Sequence, residues 1–362
     1  MPNRLLLALV LPSLACARAP RTTTTTTAST GSTMPVVVAS ATSAPGYHVT
    51  AHARLGGAGG WDYLSVDTVG HRLYLSRGTH VMVVDTRTDS VVGDIPDTPG
   101  VHGIAVAPDL NRGFTSNGRD SSITVFDLGT LAPVMRVKIQ GVNPDAIAYD
   151  AASQRVFTFN GRSNDATVVD AKTGAIVGTI PLGGKPEFAQ TDGKGTLWVN
   201  VEDKSEIAAV DTRTLAVKAH WSIAPCEEPS GLAIDRAHRR LFAVCGNALM
   251  AVVDADNGKV VATVPIGQGT DAAAFDPRTQ LAFSSNGEGS ITVVHEDAPD
   301  RFSVVETVPT QRGARTMTID PTTGTLYTVT AEFGPTPEAT ADRPRPRPPM
   351  LPDSFTLLVL SR

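Results

Sequence analysis

Seven side chains stand at equal positions along this 362-residue chain: Asp62, His102, Asp145, Glu187, Ser230, Asp271 and Arg315, separated by steps of 40, 43, 42, 43, 41 and 44 residues. If each step is one repeat around an axis, they form a ring of four carboxylates, a histidine, a serine and an arginine. Carboxylates that converge in a partly dehydrated funnel rise in pKa or take up a cation. Asp145, Glu187 and Asp271 are the candidate metal ligands, and with Asn117, Asn160 or Asn286 in reach such an oxygen-rich set suits Ca²⁺ or Mg²⁺ better than a soft metal. Trp61, with Tyr63 nearby, offers a ring to stack on a sugar or aromatic ligand at the rim, against the alternative of packing between the first and last repeats. The expected ligand-binding set is therefore Trp61, Asp62, His102, Asp145, Glu187, Asp271 and Arg315. The plainer alternative is that these groups cap loop amides or face water.

The repeat that would position them is visible independently. A hydrophobic triplet runs into a turn-forming residue at Val66-Asp67, Val106-Ala107, Tyr149-Asp150, Thr191-Asp192, Ile234-Asp235, Phe275-Asp276 and Ile319-Asp320. A second ladder follows in phase at Val84-Asp85, Phe126-Asp127, Val169-Asp170, Val210-Asp211, Val253-Asp254 and Val294-His295. Short apolar runs between Asp, Asn and Gly turns, at a period near 40 residues and without helical spacing, predict an all-β, seven-bladed β-propeller of four-stranded antiparallel blades. Ser65, Ala105, Ala148, Gln190, Ala233, Ala274 and Thr318 would face the axis, where mostly small side chains suit converging strands.

Leu326-Tyr327-Thr328-Val329, Leu281 to Gly287 with Ile291-Thr292-Val293-Val294, and Ala166 to Gly174 ending in Lys172-Thr173-Gly174 resemble the repeat unit of the YVTN family of propellers, the YncE-like proteins. The resemblance covers roughly residues 47–362 and implies the propeller fold, with binding roles more often than catalysis. Blade six departs from the repeat at His295 and blade two at Ala107.

The seventh repeat contains only three strands before the chain stops, whereas residues 47–55 alternate like an outer strand ahead of the first blade. The N-terminal strand is therefore expected to complete the last blade, since pairing the two ends removes exposed sheet edges. Between the second and third strands of that blade an insertion at about 332–353 contains Arg343-Pro344-Arg345-Pro346-Arg347-Pro348-Pro349. Alternating Arg and Pro favours an extended cationic segment on the same face as the acidic ring, able to lean over the funnel or reach an anionic partner such as lipid headgroups or cell-wall polymers, against the alternative of a solvated loop.

Residues 1–17 read as a signal peptide, with Arg4 ahead of an apolar run too short to span a membrane. Ser13-Leu14-Ala15-Cys16 is an imperfect lipobox, so membrane attachment through a lipidated Cys16 and ordinary cleavage both stay open. Residues 18–45 form a Thr/Ser/Pro-rich linker, and the propeller occupies 46–362. An exported, periplasmic or cell-envelope location follows. Cys226 and Cys245 then flank two strands of blade five at the same end, where a disulfide and two unpaired thiols are both open.

Net charge of -5 and the absence of basic runs outside the insertion exclude a double-stranded nucleic-acid binder, and 5% aromatic residues argue against stacking on single strands. No nucleophile elbow, His-Glu-x-x-His or phosphate-binding glycine loop occurs, and no catalytic residue is assigned. His71, His80, His238 and His295 fall in or near turns and strand ends, where a satisfied or solvated histidine is ordinary. The expected function is an exported, monomeric binding or interaction module for a small ligand or an envelope protein or polymer, with a ligand or ion site on the channel face. The alternative is a metal-dependent lactonase-type hydrolase, with His102, Glu187, Asp271 and Arg315 as its residues.

Overall fold

In the computed structural model residues 46–340, 344, 346 and 348–362 are described, and they fold into seven four-stranded antiparallel sheets arranged as the blades of a propeller. The signal and linker expected in residues 1–45 lie outside the described residues.

Blade five shows how the sequence dictates the unit. Its strands are Pro229–Asp235, Arg240–Cys245, Leu249–Asp254 and Val260–Pro265. The second and third are apolar on both faces because each face meets a neighbouring blade: Leu232, Leu241, Ala243, Ala251 and Val253 pack against Trp198, Ile207 and Ala209 of blade four. The outer strand has only one end of its surface to bury, and Val264 alone of its six residues is buried. Burial of an apolar side chain stabilises by about 1.5–3 kcal/mol, so the inter-blade layers supply the main drive for folding.

The two Asp ladders work as turn locks. Asp170 Oδ1 accepts the amides of Lys172 and Thr173 at 3.0 and 2.8 Å, and Asp211 Oδ1 those of Arg213 and Thr214 at 3.0 and 2.9 Å. Those amide donors, with Thr173 and Thr214 contributing most, hold both carboxyls below the usual range.

Ring closure follows the sequence expectation. Blade seven comprises Met317–Asp320, Thr325–Thr330 and Thr356–Ser361, and its outer strand is His48–Arg54 from the N-terminal side. His48 pairs with Ser361 and Arg54 with Thr356, with a bulge between Val49 and Ala51. Tyr47 extends the closure to blade six, its ring meeting Phe283 edge-on at 5.2 Å while its hydroxyl donates to the Gly324 carbonyl at 3.0 Å.

The insertion of blade seven is rooted by a small hairpin: Gly334 N donates to Pro349 O and Leu351 N to Glu332 O, both at 2.8 Å. Arg343, Arg345 and Arg347 lie outside the described residues. Cys226 and Cys245 are joined as a disulfide with their Cα atoms 5.7 Å apart, tying the loop that enters blade five to the end of its second strand.

Candidate functional site

Five of the seven ring residues are aimed by a shared irregularity. In blades two to six the pairing of inner and second strands slips between Val101 and Ile104, Pro144 and Ile147, Pro186 and Ala189, Pro229 and Leu232, and Thr270 and Ala273. Each slip contains the ring residue, His102, Asp145, Glu187, Ser230 or Asp271 in turn, and such a bulge re-aims a side chain out of the ladder. Hydroxyls of the second strands hold the strands in place: Ser76 Oγ accepts the Asp62 amide at 3.0 Å, Ser116 Oγ donates to the Asp145 carbonyl, and Ser285 Oγ to that of Arg315.

Around the channel mouth the charges meet in order. His102 Nδ1 lies 2.6 Å from Asp62 Oδ2 and 3.7 Å from Asp145 Oδ1, and the three residues' ligand atoms fall within 4.8 Å of one another. Arg315 pairs with Asp271 at 3.0 Å and reaches Asp62 at 3.8 Å. Lys185, which the sequence reading did not single out, bonds Glu187 at 2.6 Å and also Glu202. Of Asp145, Glu187 and Asp271, grouped from sequence as ion ligands, only Asp145 belongs to the tightest cluster; Glu187 is occupied by Lys185 and Asp271 by Arg315.

Burial dominates the acid–base behaviour of the mouth. It pushes Asp145 up to about 6 against the pull of His102, and Asp271 up to about 7 against the pull of Arg315. Glu187 also rises, through burial and the neighbouring Asp145. For His102, burial opposes protonation, but the Asp62 hydrogen bond and the charges of Asp145, Asp62 and Glu187 outweigh it, and the imidazole is held above its usual value. Five carboxylates, Asp62, Asp145, Glu187, Glu202 and Asp271, thus face three basic groups, His102, Lys185 and Arg315.

Several sequence expectations are corrected by the packing. Asn117, Asn160 and Asn286 are fully buried inside their blades rather than turned to the mouth. Asn117 Nδ2 donates to Ser122 and Thr124 at 3.1 and 2.9 Å, and Asn286 Nδ2 to Ser290 and Thr292 at 3.0 and 3.1 Å, so these amides lock hairpins and are not ion ligands. Arg77, at the same repeat position in blade one, is likewise interior: it donates to the carbonyls of Gly56, Gly57, Ala58 and Gly59 and lies over the Phe355 ring at 3.6 Å. Trp61 sits between blades one and seven, 5.4 Å from Phe355 and 6.2 Å from Phe333 at the root of the insertion, so it packs instead of presenting a free stacking face. Ser230 donates to the backbone of Asp271 at 3.0 Å.

Tyr63, placed from sequence at the rim, lies one residue deeper and stacks on Phe188 of blade four, ring centroids 4.4 Å apart. Its hydroxyl is driven well above its usual pKa by burial and by Asp145, Glu187, Asp62 and Asp271 overhead. Beside this pair the channel opens into a hollow of about 530 Å³ lined by small side chains such as Ala146, Ala189 and Ala274 and by the polar Gln190, Asp235 and Arg236. Gln190, the exception to the small-residue column, donates to the Leu232 carbonyl of the neighbouring blade at 2.9 Å. The spacious part of the channel therefore lies away from the charged ring.

No protein-family model matches this chain. No curated protein matches it. Among solved structures, a chain of Kuenenia stuttgartiensis hydrazine synthase is similar with a TM-score of 0.65 and 18% identity, covering 76% of this chain and 93% of that one. At that identity the likeness shows the propeller fold alone.

Proposed function

We propose that this chain is an exported binding propeller whose acidic channel mouth takes up a cation on carboxylate oxygens, with Asp62 and Asp145 nearest and the imidazole of His102 between them as the group whose proton the ion displaces. The observation that carries this reading is the excess of carboxylates over basic groups in a half-buried ring, where burial first, and neighbouring carboxylates after it, raise Asp145 and Asp271 to about 6 and 7. A proton relieves that charge at low pH, and a cation at high pH. His102 turns the same nitrogen to both acids of the cluster, so ion entry displaces its proton and binding strengthens as pH rises. The Cys226–Cys245 disulfide supports an oxidising, extracytoplasmic compartment, in keeping with the signal read from residues 1–17. The repeat resemblance to YVTN propellers favours a binding role in the same way.

Calorimetric titration of the protein with Ca²⁺ and Mg²⁺ at pH 8 and at pH 5.5 tests the reading. Binding at pH 8 that weakens at pH 5.5 and is lost in Asp145→Asn is expected; no binding of either ion at either pH would sink it. Lactone opening that is abolished by a chelator would instead establish the hydrolase alternative.

A further inference from the structure

A second cluster of the same residue types lies at the other end of the blades. Asp235 ends the inner strand of blade five, His238 stands in the turn that follows, and Glu296 comes from the third strand of blade six, Ser290–Ala298. That strand is nine residues long where the equivalent strand of blade five has six, and the extra length carries Glu296 to the border with blade five. The Glu296 amide donates to Gln280 O at 2.9 Å, which fixes the backbone from which its carboxylate projects.

Asp235 divides its two oxygens between two tasks. Oδ1 accepts the Ala237 amide at 2.8 Å, as a turn aspartate does, while Oδ2 faces His238 Nδ1 at 2.6 Å. Glu296 Oε1 lies 3.2 Å from the same nitrogen. Close as they are, these atoms are not aligned as hydrogen bonds: Asp235 Oδ2, His238 Nδ1 and both carboxylate oxygens of Glu296 are buried without a hydrogen-bond partner. Asp235 and Glu296 are each only 2% exposed. Leaving a buried carboxylate without a partner costs several kcal/mol, and a second carboxylate beside it adds repulsion. The nearby Arg240 is committed elsewhere, donating to the carbonyls of His238 and Arg239 and pairing with Asp254 at 3.3 Å.

We propose that Asp235, His238 and Glu296 form a binding site for a divalent first-row transition ion such as Zn²⁺ or Mn²⁺, bridging blades five and six. Their ligand atoms lie within 4.8 Å of one another. A tetrahedral ion about 2.0–2.2 Å from each would hold them roughly 3.3–3.6 Å apart, so the 2.6 Å contact of His238 with Asp235 would open by up to about 1 Å. Two carboxylates cancel the ion's double charge, and the imidazole selects against Ca²⁺ and Mg²⁺, which prefer all-oxygen sets. His238 has its side chain 35% exposed and forms the entrance, leaving a coordination position for water. This site does not depend on the reading of the channel mouth.

The test uses untagged protein carrying His102→Gln, which removes the imidazole at the mouth and with it the one nitrogen donor there that could compete for Zn²⁺, titrated with Zn²⁺ and Mn²⁺ by calorimetry, with Ca²⁺ as the control. One equivalent of Zn²⁺ or Mn²⁺ is expected to bind. Adding Glu296→Gln or His238→Gln should weaken binding by at least about tenfold in proteins whose melting curves show them folded. His238 is on the surface, so its variant reports even if a change at the interior Glu296 disturbs packing. Absence of Zn²⁺ and Mn²⁺ binding, unchanged affinity in both added variants, or preference for Ca²⁺ would each overturn the proposal.

Discussion

The Asp62–His102–Asp145 cluster at the channel mouth and the Asp235–His238–Glu296 cluster between blades five and six contain the same chemistry in two states of completion. At the mouth, the histidine is bonded to Asp62 at 2.6 Å, and Arg315 and Lys185 offset part of the acid charge nearby. At the second cluster the histidine lies equally close to Asp235 yet without hydrogen-bond alignment, and the interior acid has no directed partner. Proximity between acid and imidazole is thus not the deciding quantity. What separates the two regions is whether a proton, held on a line between donor and acceptor, already does the work a cation would do.

The strongest challenge to this comparison is to open the ring on which both clusters ride. Deleting residues 46–56 removes the strand paired to Thr356–Ser361, and the expected outcome is loss of soluble monomer by gel filtration; an unchanged monomer with an unchanged melting temperature would show that the clusters do not need closure. Less drastic is a pair of substitutions with opposite expected signs. Arg315→Ala leaves Asp271 uncompensated and should destabilise by about 1–2 kcal/mol, a value reduced for the exposure of the arginine. Burial, with Asp235 beside it, raises Glu296 to about 7, so at pH 8, where this acid is ionised, Glu296→Gln removes a buried charge and should raise stability by about 1 kcal/mol when urea unfolding is followed in EDTA. Equal signs would erase the distinction between a partnered and an unpartnered acid.

Acidity sharpens the same contrast. Folding raises Asp145 and Asp271 from the ordinary carboxylate range to about 6 and 7, so the folded protein holds protons that the unfolded chain releases. Their contribution is fully present below about pH 4 and is lost as pH rises through 6 to 7. Metal-free protein should therefore melt a few degrees lower at pH 8 than at pH 5, at about 2 °C per kcal/mol for a domain of this size. Asp271→Asn should flatten that fall. The smallest effect is expected from Gly118→Ala, whose new Cβ would stand 2.7 Å from His102 Nε2 and push the imidazole off Asp62. Cation affinity at the mouth should drop a few-fold while Zn²⁺ binding between blades five and six stays as it was.

The repeat made the fold legible because every blade solves the same packing problem with the same apolar runs, and the missing fourth strand of blade seven left one place for residues 48–54. Equal spacing also located the mouth residues, although it did not reveal that a bulge in the inner strands of blades two to six turns five of them out of the ladder. Asn117, Asn160 and Asn286 were misplaced for the same reason that they were easy to align: a shared repeat position fixes the strand end, not whether the side chain turns inward to close a hairpin. The second cluster escaped because its members come from adjacent blades and from different strands. Its trace in the sequence was the break in the Asp ladder at His295, where Glu296 and Asp297 follow directly.

The stack of Tyr63 on Phe188 has a consequence for traffic along the axis. Two aromatic rings from blades separated by three steps of the circle meet across the axis, next to the acids of the mouth and at the edge of a hollow of about 530 Å³. The axis is accordingly lined unevenly, by a ring of charged groups on one side of the two rings and by mostly small side chains with a few polar ones on the other. A tilt of those two rings would therefore change the width of the axis between the charged mouth and the hollow.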